Sequence, residues 1–403
     1  MKFNLEDLSI SPNKLAEHYS KFKVTERMLF TGHSHQAWPN CGFEAQQETW
    51  NDAADLVDDK WGKAFEKAEE VKKGYSKLLN DNSGNITLAS NTHDLIIKLF
   101  SALPLKDKPR IVTTDGEFHS IRRQLDRLSE EGIEIVKVPS NHVSQVVEKI
   151  IEALKSSEGK RTAAVYVSSV FFNSGLILPG LKELAGFCSE NEITFVVDAY
   201  HHLNVVPFSV EEYNLQNAFI TGGGYKYCQL GEGNAFLRSP KDCEMRPLIT
   251  GWYSEFTALS SKKKAGEILY GQKGDVFAGA TYDPTSNYRA AKVFQFFNEL
   301  NLYPEFLREV SQHQIGLLIR EFDKLDLDPK IIRRDTSISL ENVGGFLVLY
   351  SESAGKISEM LKEKNVWTDY RGNVLRLGPA PYISDEQIKE AMKLLGVVVK
   401  NLN

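Results

Sequence analysis

The chain predicts an α/β fold: a mixed, mostly parallel sheet with flanking helices, followed by a smaller C-terminal α+β domain. Two observations carry this. Between residues 86 and 238 short apolar runs alternate with helical patterns, and the runs are too uniformly apolar to leave one sheet face wet. After about residue 250 the pattern changes, to long helices over 285–326 and then a compact β-β-α-β-α order over 330–403.

Residues 1–40 read as an N-terminal arm with a short helix and a loop (TGHSHQAWPN, 31–40). A long amphipathic helix over about 44–79 closes at the turn signal DNSGN. The expected strands are ITLA (86–89), RIVTT (110–114), IEIVKV (133–138), TAAVYVSSV (162–170), ITFVVD (193–198), AFITGGG (218–224) and NAFLR (234–238). Helices are expected from Thr92, after Phe118, near 143–156 and near 179–190. Residues 285–326 read as long helices. KIIRR, GFLVLY, a helix at 354–364, VLRLG and a helix at 384–398 then complete the chain. The division this implies is an arm and loop over 1–40, a large domain over 41–290 and a small domain over 291–403.

Length and charge exclude several classes. The 403 residues carry a formal net charge of −6, so no basic surface invites a nucleic-acid backbone. The apolar stretches 343–350 and 394–399 fall far short of the roughly 18 residues needed to span a bilayer. The first residues lack the apolar core of a signal peptide. Cys41, Cys188, Cys228 and Cys243 stand far apart with no C-x-x-C pair, a pattern expected of reduced thiols in a cytoplasmic protein. The basic run at 261–266 reads as solvated surface.

Ligands of open α/β sheets collect beyond the carboxyl ends of the strands, so the chemistry is sought there. The strand ITLA runs through Ser90 into Asn91 and Thr92, which open a helix and so offer both a cap and an anion cradle. Past RIVTT comes Glu117-Phe118-His119-Ser120, an aromatic ring beside an imidazole. ITFVVD ends on Asp198, a carboxylate that is costly to bury without a positive partner. AFITGGG runs into Tyr225-Lys226-Tyr227, where a partly desolvated lysine would have a lowered pKa suited to forming a Schiff base. An aldehyde cofactor with a pyridine ring and a phosphate needs a lysine, an anion cradle, a carboxylate for the ring nitrogen and a flat side chain to stack on it. Lys226, the 90–92 helix start, Asp198 and Phe118 meet these needs at the rim of one sheet.

At these positions the sequence resembles the fold-type I pyridoxal 5'-phosphate enzymes of the class V aminotransferase group, and within it kynureninase. Gly223-Gly224-Tyr225-Lys226-Tyr227 with Gly231-Glu232-Gly233 is similar to the Y-K-Y-x-x-x-G-x-G segment around the cofactor lysine. Asp198-Ala199-Tyr200-His201 is similar to D-x-x-H. Gly251-Trp252-Tyr253 resembles G-W-F, Ala280-Thr281 resembles a G-T pair, and the run Asn373 to Pro381 resembles N-G-L-R-L-S-P-V-P. The resemblance implies the aspartate aminotransferase-like fold, with 41–290 as the cofactor-binding domain and 1–40 supplying an active-site loop. It implies Asp198 on the pyridine nitrogen, His201 near the phenolic oxygen, Phe118 stacked on the ring, and Asn91, Thr92, Tyr225 and Trp252 around the phosphate. Thr281 would reach the phosphate of a neighbouring subunit, which makes a homodimer the expected unit. Arg376 would clamp the carboxylate of a small amino-acid substrate, with His33 and Ser34 nearby. Lys226, Asp198 and Tyr225 would be catalytic. Three stretches depart from the family: Phe118-His119-Ser120-Ile121 stands for F-P-T-D, His33-Ser34-His35-Gln36 for N-S-L-G, and Ala280-Thr281-Tyr282-Asp283-Pro284 for G-T-Q-P.

The expected reaction is hydrolytic Cβ–Cγ cleavage of kynurenine or a related amino acid, with a class V aminotransferase or lyase as the alternative on the same cofactor. A desulfurase is disfavoured because no cysteine follows Cys243. A metal hydrolase built on His33-x-His35 or His201-His202 lacks carboxylates or thiols at ligand spacing, so no metal is expected.

Overall fold

The computed structural model describes residues 2–402 except 260 and 263. Lys263 of the basic 261–266 run therefore lies outside the described residues. In chain order the elements are α1 (Leu5–Ser9), β1 (Met28–Leu29), α2 (Cys41–Leu56), α3 (Lys60–Leu78), β2 (Ile86–Ala89), α4 (Thr92–Ser101), β3 (Arg110–Thr114), α5 (His119–Glu130), β4 (Glu134–Val138), α6 (Val146–Lys155), β5 (Thr162–Ser168), α7 (Leu181–Glu190), β6 (Thr194–Asp198), β7 (Phe219–Gly223) and β8 (Ala235–Arg238). After them come α8 (Thr285–Glu299), α9 (Pro304–Asp323), β9 (Leu347–Tyr350), α10 (Ala354–Lys362), β10 (Val366–Trp367), β11 (Asp369–Arg371), β12 (Val374–Leu377) and α11 (Asp385–Lys400).

The central sheet has the order β2-β8-β7-β6-β5-β3-β4. Strands β4, β3, β5, β6 and β7 run parallel, while β8 is antiparallel to both β7 and β2. Successive residues of these strands enter opposite cores. Val112, Val165 and Val197 pack into one hydrophobic cluster, and Ile111, Ala164, Tyr166 and Val196 into the other. Burial on both faces is why the strands read as unbroken apolar runs. The chain steps outward from β3 to β4, then returns past β3 to β5, β6 and β7. That reversal sets the carboxyl ends of β3, β5 and β6 side by side, with Ser168 opposite Asp198 and Asp198 opposite Thr221.

A smaller antiparallel sheet, β11-β12-β9, lies in the C-terminal part. The arm crosses to it: β1 pairs in parallel with β10, and Thr31 bridges Gly378. This contact carries the 31–40 loop toward Arg376.

Two expectations need correction. The helix read over 44–79 is two helices, α2 and α3, broken at Val57, whose φ is 51°. Both halves pack against α8, which one straight rod could not do over that length. KIIRR is no strand. Only Arg333 bridges Tyr350, while Ile332 is buried and Arg334 turns out to pair with Asp323 at 2.6 Å. On that side the small sheet ends at β9, and its third strand is β11, on the far side of β12. Among the described residues no helix is long and apolar enough to cross a membrane.

Candidate active site

A cavity of about 480 Å³ opens at the carboxyl ends of β3, β5, β6 and β7, and seven of the expected residues line it: Asn91, Thr92, Phe118, Asp198, His201, Tyr225 and Lys226. Lys226 follows β7 by three residues and is buried. Its Nζ lies 2.6 Å from His201 Nε2 and above three rings, 4.7 Å from the centroid of Tyr200, 5.4 Å from Phe118 and 5.6 Å from Tyr225. Glycine at 223 makes this packing possible, because a Cβ there would stand 2.3 Å from the Tyr200 hydroxyl. Burial drives the Lys226 amine down to about 7. Asp198 opposes that fall and Arg376 adds to it.

Asp198 ends β6. Its Oδ1 accepts the Tyr200 N–H at 2.8 Å and its Oδ2 accepts the Tyr166 hydroxyl at 3.1 Å. Burial nevertheless raises its pKa, against the Tyr200 N–H, Lys226 and Tyr166. Among the described residues it makes no ion pair. A buried carboxylate satisfied by neutral donors and facing a cavity is the environment that a protonated pyridine nitrogen completes. His201 is held neutral, its pKa pushed well below the usual value by burial first and then by Lys226 and His33, and its buried Nδ1 has no partner. Tyr225 stays protonated, with burial pushing its phenol up to about 12. Its ring stacks on His35 with centroids 5.4 Å apart.

The opposite wall is the start of α4, a helix of 10 residues whose N-cap Asn91 accepts the Asp94 N–H at 2.9 Å. Free N–H groups and the helix dipole there suit a phosphate. Phe118 caps α5 and meets Phe172 edge-on at 5.3 Å. The donor set, the acidic partner for a ring nitrogen, the flat ring and the volume fit pyridoxal 5'-phosphate.

The other expected residues lie elsewhere. Thr281 is exposed and lines a neighbouring cavity of about 950 Å³; Trp252 is exposed too, its ring tilted at 51° against that of Tyr253, which lines the same cavity. Neither approaches Lys226 within this chain. Ser34 lines a third cavity of about 450 Å³ with Asp369 and Arg371. His33 is fully buried, 3.6 Å from Asp369 Oδ2, and burial lowers its pKa to about 4. Arg376 is also buried, with Nη1 donating to Phe172 O at 2.6 Å and Nη2 paired with Asp369. Among the described residues no group of three His, Cys, Asp or Glu could hold a metal ion.

Three contributors went unread in the sequence. Tyr166 is a mid-strand aromatic that looks like core. Asp369 sits opposite Arg376, and the two-residue loop Gly372-Asn373 between β11 and β12 is the signal that could have shown it. Glu117 is buried beneath the site, accepting from Thr114 Oγ1 at 2.7 Å and Ser168 Oγ at 2.6 Å, with burial pushing it up to about 7.

Solved structures share this fold. A C-DES variant with glycine covalently linked to its PLP-cofactor superposes with a TM-score of 0.82 at 15% identity, over 94% of this chain and 98% of that one. The apo cysteine desulfurase of Thermococcus onnurineus NA1 gives 0.79 at 16% identity, over 97% and 98%. Fold and site together define a protein of the PLP-dependent transferase fold. The Aminotransferase class-V model matches residues 48–251, and the chain belongs to that family, whose cofactor is pyridoxal 5'-phosphate. A second model, the Kynureninase C-terminal domain, matches residues 307–395. The Uncharacterized aminotransferase YcbU of Bacillus subtilis (strain 168) is 21% identical over 82% of this chain and 84% of its own length. A mitochondrial cysteine desulfurase of Candida maltosa is 28% identical over 47% of this chain, an alignment that spans only 39% of that relative's length.

Proposed function

We propose that the protein is a kynureninase-type hydrolase, cleaving the Cβ–Cγ bond of kynurenine or a related amino acid to alanine and an anthranilate-type acid. The observation that carries this reading is the match of residues 307–395 to the Kynureninase C-terminal domain, which takes in Arg376. The small domain also contains no cysteine to carry sulfur. Bound pyridoxal 5'-phosphate supplies an aldehyde and a protonated ring that draws electrons from the substrate's Cα. Lys226 Nζ would hold that aldehyde and would serve as the base for the substrate's Cα proton, a task suited to an amine lowered to about 7 by burial. Asp198 would keep the ring nitrogen protonated, Phe118 would cover the ring face, and His201 would serve the phenolic oxygen. Asn91, Thr92 and Tyr225 would hold the phosphate, Tyr225 as a phenol able to return a proton, with Trp252 joining them only across a subunit boundary. Arg376 binds the substrate carboxylate, with His33 and Ser34 on the substrate side. Water would add its oxygen to the side-chain carbonyl. The Cβ–Cγ bond would then break with its electron pair left on Cβ, and the carbonyl fragment would leave as the acid. A proton delivered by Lys226 or Tyr225 and replaced from the water would complete the methyl group of alanine. Loaded protein given kynurenine or 3-hydroxykynurenine should release anthranilate or its hydroxy analogue. Amino-group transfer to a 2-oxo acid, with no such product, would replace this reading by the aminotransferase one, which YcbU's similarity over most of the chain favours.

Thr281 and Trp252 serve the cofactor only if a second copy covers them, so the active unit is a homodimer. Support comes from the exposed apolar side chains clustered around them: Leu248, Ile249, Phe256 and Leu259. Sedimentation of the loaded protein should give twice the chain mass, and an active monomer would refute the shared site.

A further inference from the structure

We propose that Asp369 is a positioning residue that fixes Arg376 for recognition of the substrate carboxylate. The inference rests on the reading of Arg376 as the carboxylate clamp. β11 and β12 form a hairpin in which Asp369 is the direct cross-strand partner of Arg376. Directly opposed side chains share a face, and residues two apart along a strand share it too, so Arg371 joins them. The contacts follow that geometry. Asp369 Oδ2 pairs with Arg376 Nη2, Oδ1 pairs with Arg371 Nη1 at 2.8 Å, and His33 Nε2 stands 3.6 Å from Oδ2. From the other side Phe172 O takes Arg376 Nη1.

A guanidinium held by two different nitrogens has one orientation left. Arg376 keeps its charge in a site that is 3% exposed, and its Nε is buried with no partner. That unmet donor on an immobilised fork is what a carboxylate oxygen would complete. Charge counting agrees. Arg371 and Arg376 bring two positive charges and Asp369 one negative, since burial holds His33 neutral. One positive charge remains, enough for one carboxylate. Without Asp369 two guanidinium groups would face each other across the hairpin and the buried one would lose its anchor.

The test compares two amines that differ only in the carboxylate, L-alanine and ethylamine, by the concentration each needs to change the visible absorbance of the loaded protein. The wild-type chain should respond to L-alanine at far lower concentration. Asp369→Asn should cut that preference by about tenfold or more, leaving cofactor absorbance and the ethylamine response in place, and Asp369→Glu should restore part of it. A merely structural role would shift both amines together and overturn the proposal. So would an unchanged preference, or a stronger one, which would make Asp369 a competitor for the arginine. Arg376→Ala separates the two readings. If it leaves the preference intact, the clamp itself is misassigned; if it abolishes the preference while Asp369→Asn does not, only the positioning role falls.

Discussion

Replacing Lys226 with alanine is expected to leave a folded protein that stays colourless when pyridoxal 5'-phosphate is added and turns substrate over at least about 10³-fold more slowly. The fold should survive because the side chain gives the structure little. Among the described residues its one hydrogen-bond partner is His201, and removing a buried amine relieves a desolvation cost. The chemistry should not survive, because no other described amine lines the cavity. The wild-type apoprotein offers a companion measurement. Only the neutral amine attacks an aldehyde, and burial lowers this lysine from 10.5 to about 7. The rate at which colour develops should therefore climb with pH below about 7 and level off above it. A lysine of ordinary basicity would still be climbing at pH 9. Colour in the alanine variant, or uptake that keeps rising through the alkaline range, would remove Lys226 from its role.

Asp198→Asn should give the opposite pairing of results: colour retained, rate largely lost. Asparagine keeps the size of the side chain, its oxygen accepting the Tyr200 N–H and its amide N–H donating to the Tyr166 hydroxyl oxygen, so the wall of the cavity is conserved. What disappears is the negative charge that a protonated ring nitrogen would meet. Breaking such a buried pair costs about 3–5 kcal/mol, which as a barrier change slows turnover by roughly 10²- to 10⁴-fold. Lys226 should still attach the cofactor, because its partner His201 and its covering rings are untouched. Steady-state kinetics and a visible spectrum decide the matter, and a variant with near-normal turnover would show that Asp198 does not serve the ring.

The two substitutions differ in how plainly the sequence announced them. Both side chains end or closely follow parallel strands that are buried on two faces, and such strands declare themselves as unbroken apolar runs. The end of β6 could be read at Asp198 for the simple reason that the apolar run stops on a charge. The three glycines before Lys226 likewise marked a place where rings and backbone crowd together. Local pattern was weaker where local rules conflict. Helical periodicity ran through Val57 although both halves must wrap α8, and KIIRR has strand composition but gives its backbone to turns.

From the sequence alone came the sheet, and the lysine, carboxylate, ring and helix start at the carboxyl ends of its strands, because each is marked by periodicity and by where a buried strand can end. Only the tertiary structure decided that Arg376 is already gripped by Asp369, that Glu117 and Tyr166 brace the floor, and that Trp252 and Thr281 face away from Lys226. Those are contacts between segments far apart in the chain or across a hairpin's register. They depend on packing distances, which residue order does not contain.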